Sequence, residues 1–276
     1  MCIDARLGFD AAAPGPCLGR LSSVDELLGI AVEAARAAGA LLLERFERPR
    51  TGVGTKSSGT DMVSDADRAS EALIIERIRA RRPDDAILGE ESGARAGSSG
   101  LRWVVDPLDG TTNFLYGHDA WAVSIALEDD EGAVVGVVFD VPRNELYAAA
   151  RGRGASCNDR PISVSSLDDV ARALIGTGFA YEPGARGRAA ELLASVLPRI
   201  RDIRRIGAAA LDLAWVACGR LDGYFEAPVM HWDVAAGALI VREAGGVTAP
   251  LDTSDGEGLI AAGPGIFEDL RALVAR

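Results

Sequence analysis

Two stretches near the start of the chain carry apolar residues at helical spacing. The first opens at Ser23-Val24-Asp25-Glu26, which has capping-box form, continues through Leu27, Leu28, Ala31, Ala34, Ala35, Leu41 and Leu42, and stops before Pro49. The second opens at Ser64-Asp65-Ala66-Asp67, places Leu73, Ile74 and Ile78 on one face and ends at Pro83. Residues 51–60, rich in Gly, Ser and Thr, read as a flexible connection. From residue 86 the pattern changes to short apolar runs at 86–88, 103–105, 121–128, 133–140 and 146–150, which predict strands. Turns are expected at 130–132 and 141–144, and residues 93–100 read as a Gly/Ser-rich loop. The first half is thus two helices followed by an antiparallel meander, an α+β pattern.

The second half alternates. Strands are expected at 173–175, 223–226 and 258–262, and helices at 187–197, 211–218, 232–244 and 265–275. That rhythm predicts a sheet with helices on its faces. A boundary near 165–170 divides the chain into an N-terminal α+β half, 22–168, and a C-terminal α/β half, 169–276. Residues 1–21 read as a loosely ordered extension.

Composition narrows the function. With 276 residues, 48% of them hydrophobic, the chain can bury a sizeable core in one large domain or two closely packed ones. The net charge of −12 repels nucleic acid and anionic membrane, which argues against either as a partner. It also repels phosphate esters, so a phosphate-handling site here needs local positive charge, and bound metal ions supply it economically. Four scattered cysteines and two histidines form no zinc pattern and no disulfide framework, which suits a reducing cytoplasm. The N-terminal residues lack the form of a signal peptide, and no run of about 18 apolar residues is present to span a membrane.

The richest stretch is Asp106-Pro107-Leu108-Asp109-Gly110-Thr111-Thr112-Asn113, directly after the apolar run Trp103-Val104-Val105. Two carboxylates stand three residues apart at the expected strand end, with Pro107 fixing the backbone between them. Gly110 permits a tight turn, and Thr111 and Thr112 can open a helix whose free N–H groups suit a phosphate. Hard carboxylates beside such a cradle suit magnesium-dependent phosphoryl chemistry. Further acids stand at element ends: Asp67, Glu90/Glu91 and Asp233. Singly, each has a plainer account. Asp67 and Asp233 suit helix starts, and Glu90/Glu91 suit a solvated loop. Together they form an oxygen-only donor set, which points to Mg²⁺ or Mn²⁺ over zinc. His118 and His231 read as structural or hydrogen-bonding residues. Lys56 reads as a solvated loop lysine or as part of a mobile loop that closes on phosphate.

The chain resembles the inositol monophosphatase family of magnesium-dependent, lithium-sensitive sugar-phosphate phosphatases. The resemblance rests on an ordered set: Lys56-Ser57-Ser58 with Asp61 and Asp67, Gly89-Glu90-Glu91-Ser92, the 106–114 motif, Ile206-Gly207-Ala208-Ala209-Ala210, and Glu226 with Trp232-Asp233-Val234-Ala235-Ala236-Gly237. It covers roughly residues 23–275 and implies a layered α-β-α-β-α sandwich, usually a homodimer. By the resemblance, Glu90, Asp106 and the Leu108 carbonyl bind a first Mg²⁺. Asp106, Asp109 and Asp233 bind a second, and Glu90 can hold a third; Mn²⁺ can substitute. Glu91 orients water, while Asp67 and Thr111 position and deprotonate the attacking water. Gly110 and Thr111 N–H groups hold phosphate, and Asp109, Ala209, Glu226 and Asp233 lie against the substrate.

The expected activity is hydrolysis of myo-inositol monophosphate by direct attack of a metal-activated water. Thr112 stands where the histidinol-phosphate and nucleotide-phosphate branches usually carry Lys, and Glu226 would oppose a second phosphate. Two departures bear on substrate choice: Ala208 where family members often have Ser or Thr, and Asp119 where many have Pro. A broad-specificity phosphatase acting on sugar phosphates, fructose 1,6-bisphosphate or histidinol phosphate is the alternative. A regulatory binding protein on the same fold is a second.

Overall fold

The computed structural model describes residues 23–46, 54–55, 62–251 and 253–275. The expected extension at 1–21, most of the 51–60 connection, Lys56 and Asp61 lie outside them.

Helix α1 (Val24–Phe46) is followed by the two-residue strands β1 (Gly54–Thr55) and β2 (Met62–Val63), then helix α2 (Asp65–Arg81). Helix α2 opens at Ser64 as expected, and its start is a capping box that the sequence reading did not assign, with Asp67 as the reciprocal partner. Strands β3 (Ala86–Gly89), β4 (Gly93–Arg95) and β5 (Arg102–Asp109), helix α3 (Thr111–Tyr116), and strands β6 (Ala122–Asp129), β7 (Gly132–Asp140), β8 (Glu145–Ala150), β9 (Ala155–Cys157) and β10 (Arg160–Pro161) come next. The second half runs β11 (Leu174–Thr177), α4 (Pro183–Val196), β12 (Asp202–Arg204), α5 (Ala209–Ala217), β13 (Gly223–Glu226), α6 (His231–Glu243), β14 (Val247–Pro250), β15 (Leu259–Ala262) and α7 (Phe267–Val274).

Two mixed sheets result. The larger has the order β10-β9-β8-β7-β6-β5-β3-β4 and the smaller β12-β11-β13-β15-β14. Helices α1 and α2 pack on one face of the larger sheet. Helices α5 and α6 pack between the two sheets, and α4 and α7 cover the far side of the smaller one. The layers therefore alternate α-β-α-β-α, as the family resemblance implies. Both faces of the larger sheet are covered, so β5 to β8 are buried along nearly their whole length and read as continuous apolar runs.

Several details differ from the sequence reading. Part of the 93–100 segment is strand β4, which zips antiparallel onto β3. Strands β3 and β5 pair in parallel, so the first half is not a pure meander. Helix α4 begins four residues earlier than expected, because the Glu182 side chain caps the N–H groups of Gly184 and Ala185 and Pro183 occupies the first turn. The short strands β9, β10, β12 and β14 were not expected, because none carries a continuous apolar run.

The middle layer is tight. A β-carbon on Gly136 of β7 would stand 2.8 Å from the Ala236 carbonyl oxygen and 3.1 Å from its Cα, both backbone atoms of α6. Gly136→Ala is expected to destabilise the fold by about 1–3 kcal/mol, read as a lowered urea midpoint, because a backbone neighbour cannot rotate away. An unchanged midpoint would mean the helix and sheet can separate freely.

Candidate active site

Strand β5 does not stop at Val105 but runs through the acid motif. Its pairing with β6 passes from Asp106↔Ser124 to Asp109↔Ala122, three steps on one strand against two on the other. The extra residue makes a bulge, which Pro107 accommodates because it has no N–H to give to a ladder. Asp106 turns back to accept the Leu108 N–H at 3.0 Å. Gly110 then adopts φ +90°, and a β-carbon there would stand 2.8 Å from the Ala120 carbonyl oxygen. Only glycine makes this turn without strain. The following helix α3 is anchored by Phe114, whose ring lies 5.1 Å from Trp121 and 5.3 Å from Phe46 between centroids.

Thr111, the first residue of α3, places Oγ1 2.8 Å from Asp67 Oδ1 and 3.1 Å from the Leu108 carbonyl oxygen. A hydroxyl has one proton, and the closer carboxylate is the stronger acceptor. Asp67 is fully buried, and its other oxygen accepts the Ser64 N–H at 2.9 Å and the Ser64 hydroxyl. It is therefore a helix-capping acid and the partner of the motif threonine at once.

A cavity of about 440 Å³ lies where the ends of β5, β11 and β13 meet the starts of α3, α5 and α6. Glu90, Asp106, Leu108, Asp109, Gly110 and Thr111 line one side, with Ala209, Glu226 and Asp233 opposite. Residues from both halves of the chain thus converge. Asp67 stands behind Thr111, not in the wall. Glu91 also stands off the wall, its N–H held by Glu71 at 2.8 Å. Lys56 lies outside the described residues.

The acids converge with a common electrostatic cost. Burial, then Glu90, Asp109 and Asp233, push the Asp106 carboxyl well above its ordinary range. Burial, then Asp109 and Glu90, do the same to Asp233. Asp109 is pushed up to about 7, mainly by burial, against the Ala210 N–H that opposes the rise. That N–H donates to Asp109 Oδ2 at 2.7 Å. Ala208, the N-cap of α5, has no side chain able to cap the helix, so Asp109 caps it from a distant part of the chain. Asp233 in turn accepts the Met230 N–H at 3.1 Å at the start of α6.

Among the described residues, no three Asp, Glu, His or Cys side chains already stand in position to hold one cation between them. Their oxygens instead take up backbone donors. The donor set nevertheless fits a hard divalent cation: all oxygen, with Asp106 and Asp109 buried, and mutually repelling until positive charge is added.

Several wall residues escaped the sequence reading. Asp212 is buried, raised well above the usual carboxylate range by burial and by Glu226 and Asp109, and its Oδ1 has no hydrogen-bond partner among the described residues. Its signal was available: it lies one helical turn after Ala209. Arg205 is the only Lys, Arg or His in the described wall. Asn113 donates to the carbonyls of Ala120 at 2.7 Å and Ile206 at 2.9 Å, tying the motif helix to the second half. His231 makes the hydrogen bond expected of it, 2.8 Å to Glu128.

An acid pocket at strand ends, framed by three helix starts, sits inside a layered α-β-α-β-α sandwich. A family model described as the inositol monophosphatase family matches residues 23–275. The chain belongs to the inositol monophosphatase family. It is 44% identical to an inositol-1-monophosphatase of Mycobacterium bovis over 93% of this chain and 94% of that one. It is 43% identical to the Nus factor SuhB of Pasteurella multocida over 90% and 95%. The extragenic suppressor protein suhB of Bartonella henselae superposes with a TM-score of 0.85 at 38% identity, covering 91% of this chain and 99% of that one. The family is metal-dependent, typically on Mg²⁺, and acts on small phosphate substrates. No helix among the described residues is long and apolar enough to cross a membrane.

Proposed function

We propose that this protein hydrolyses myo-inositol monophosphate to inositol and phosphate, as an inositol-1(or 4)-monophosphatase-type phosphomonoesterase. The observation that carries the reading is the Asp67–Thr111 hydrogen bond set directly behind a wall where Glu90, Asp106, Asp109 and Asp233 meet. Glu90, Asp106 and the Leu108 carbonyl would hold one Mg²⁺, and Asp106, Asp109 and Asp233 a second, with Glu90 able to hold a third and Mn²⁺ able to substitute. Bound there, the ions would supply Lewis acidity, lowering the pKa of water and offsetting the charge of the leaving alkoxide.

The chain's own groups do the rest. Thr111 Oγ1 gives its proton toward Asp67 Oδ1, so its lone pairs are free to accept a proton from water. Asp67 takes up that proton through the hydroxyl, a general-base relay across one side chain. The N–H groups of Gly110 and Thr111 hold phosphate oxygens. Glu91 orients water. Asp109, Ala209, Glu226 and Asp233 lie against the polyol. The Tyr224 hydroxyl donates to Glu226 Oε2 at 2.9 Å and orients it. Family membership supports a cytoplasmic, lithium-sensitive homodimer.

No protein nucleophile is needed, so in single turnover solvent oxygen-18 is expected in the released phosphate; a trapped phospho-aspartate would overturn the mechanism. Mg²⁺-dependent phosphate release from inositol 1-phosphate tests the activity. Histidinol phosphate and fructose 1,6-bisphosphate in the same panel test the broad-specificity alternative. A relative named as a Nus factor supports a second reading, a regulatory binding protein. The −12 charge argues against direct RNA contact. Absence of phosphate release from every substrate in the panel would favour that reading.

A further inference from the structure

Helix α2 presents three polar residues on one face, Asp67, Ser70 and Glu71, at positions i, i+3 and i+4. All three are buried, and each bonds a different segment of the site. Asp67 holds Thr111, and the Ser70 hydroxyl donates to the Pro107 carbonyl at 2.8 Å. Glu71 reaches the turn after β3: Oε2 accepts the Glu91 N–H at 2.8 Å and Oε1 accepts the Ser92 N–H at 2.8 Å. The turn is held on its other side by the Glu90 N–H, which donates to the Val105 carbonyl at 3.1 Å.

Glu71 is 2% exposed and enters no step proposed above. The chain leaves room for it deliberately: a β-carbon on Gly89 would stand 2.5 Å from Glu71 Oε2. A third carboxylate beside Glu90 and Glu91 is electrostatically unfavourable in itself. It is tolerated because two successive N–H groups point at it, one to each oxygen, which are charge-assisted bonds. A neutral amide could not serve in its place. Gln offers one acceptor oxygen and one NH₂, so one of the two backbone donors would face a donor and stay unsatisfied.

We propose that Glu71 is a positioning residue that clamps the Glu90–Glu91–Ser92 turn onto α2 and thereby sets the divalent-cation affinity of the pocket. The proposal rests on the reading above that Glu90 holds a cation. Glu71 touches neither that cation nor the substrate. It acts through the backbone that carries Glu90, on the same helix that orients Thr111 through Asp67. Partners that orient ligands in this way commonly govern roughly 10–100-fold in metal affinity.

The test uses two variants of the full chain and two readouts. Glu71→Gln removes the charge and one acceptor. Gly89→Ala keeps the Glu71 charge but drives its carboxylate off the two donors, and stands in if Glu71→Gln fails to fold. Amide hydrogen exchange on metal-free protein reads the clamp directly. Both variants should exchange faster at Glu91 and Ser92 while the Ile74 and Ile78 region of α2 keeps wild-type protection. Titration calorimetry with Mn²⁺ should give dissociation constants raised roughly 10–100-fold, with turnover recovered at saturating Mg²⁺. Wild-type Mn²⁺ affinity in both variants would overturn the proposal, even with a lowered melting temperature, since that pattern marks a purely structural residue. Unchanged exchange at Glu91 and Ser92 would overturn it as well. If wild-type protein itself took up no Mn²⁺, the cation reading of the pocket would fail first, an outcome distinct from a variant-specific loss.

Discussion

Asp106→Asn is expected to lower turnover of inositol 1-phosphate by about a thousandfold or more, with the fold intact. Asp106 is the acid proposed to bridge both cations, and a bridging charge worth several kcal/mol translates to that factor. Its surroundings make the result diagnostic. The side chain is 2% exposed, and its charge is opposed by burial and by Glu90, Asp109 and Asp233. Asn has the same shape and can keep accepting the Leu108 N–H, seen at 3.0 Å from Asp106 Oδ1. Removing one charge from a repelling cluster should therefore leave the urea midpoint of the metal-free protein unchanged or raise it. A loss of activity without a loss of stability separates a functional acid from a structural one. A rate within tenfold of wild type would contradict the bridging role.

Thr111→Val should cost activity for a different reason, by about 100- to 10,000-fold in kcat at saturating Mg²⁺, the range for loss of a general-base path. Valine matches threonine in shape and β-branching, so the backbone of α3 is retained. What disappears is the 2.8 Å bond to Asp67 Oδ1. Asp67 is fully buried, so one of its oxygens would lose a donor, and a stability cost of about 1–3 kcal/mol should accompany the kinetic defect. Thr111→Ser keeps the hydroxyl and is the control: most of the activity should return. Equal defects in Val and Ser would mean that the methyl group, not the proton path, is what matters at this position.

Positive charge in the pocket has more sources than the sequence reading assigned. The sequence reading assigned it to bound cations, to the N–H groups of the helix opened by Thr111 and Thr112, and to Lys56. In the folded chain the starts of α3, α5 and α6 all face the cavity, and Arg205 lines it. Helix starts carry unpaired N–H groups and a partial positive charge, which favours both the acids and an incoming phosphate. The Asp109–Ala210 bond shows this at work across 101 residues of sequence. It joins the motif acid to a helix whose own cap residue, Ala208, has nothing to offer.

The sequence alone determined whatever depends on neighbours along the chain. The helix opening at Ser64, the apolar faces of α1 and α2, the turn at Gly110 and the long strands between residues 121 and 150 are set by residues within a few positions of one another, so periodicity and turn chemistry reach them. Only the tertiary structure decided which acids share a wall, that Asp67 stands behind Thr111 and not in the pocket, that Glu71 grips the turn after β3, and that Asp212 and Arg205 join the site. Those outcomes depend on strand register, on the bulge between Asp106 and Asp109, and on backbone approaches such as Gly136 against Ala236. A one-residue change in register sends a side chain to the opposite face of a sheet. Contacts made across layers therefore have no signature in local pattern, although they decide what the local motifs can do.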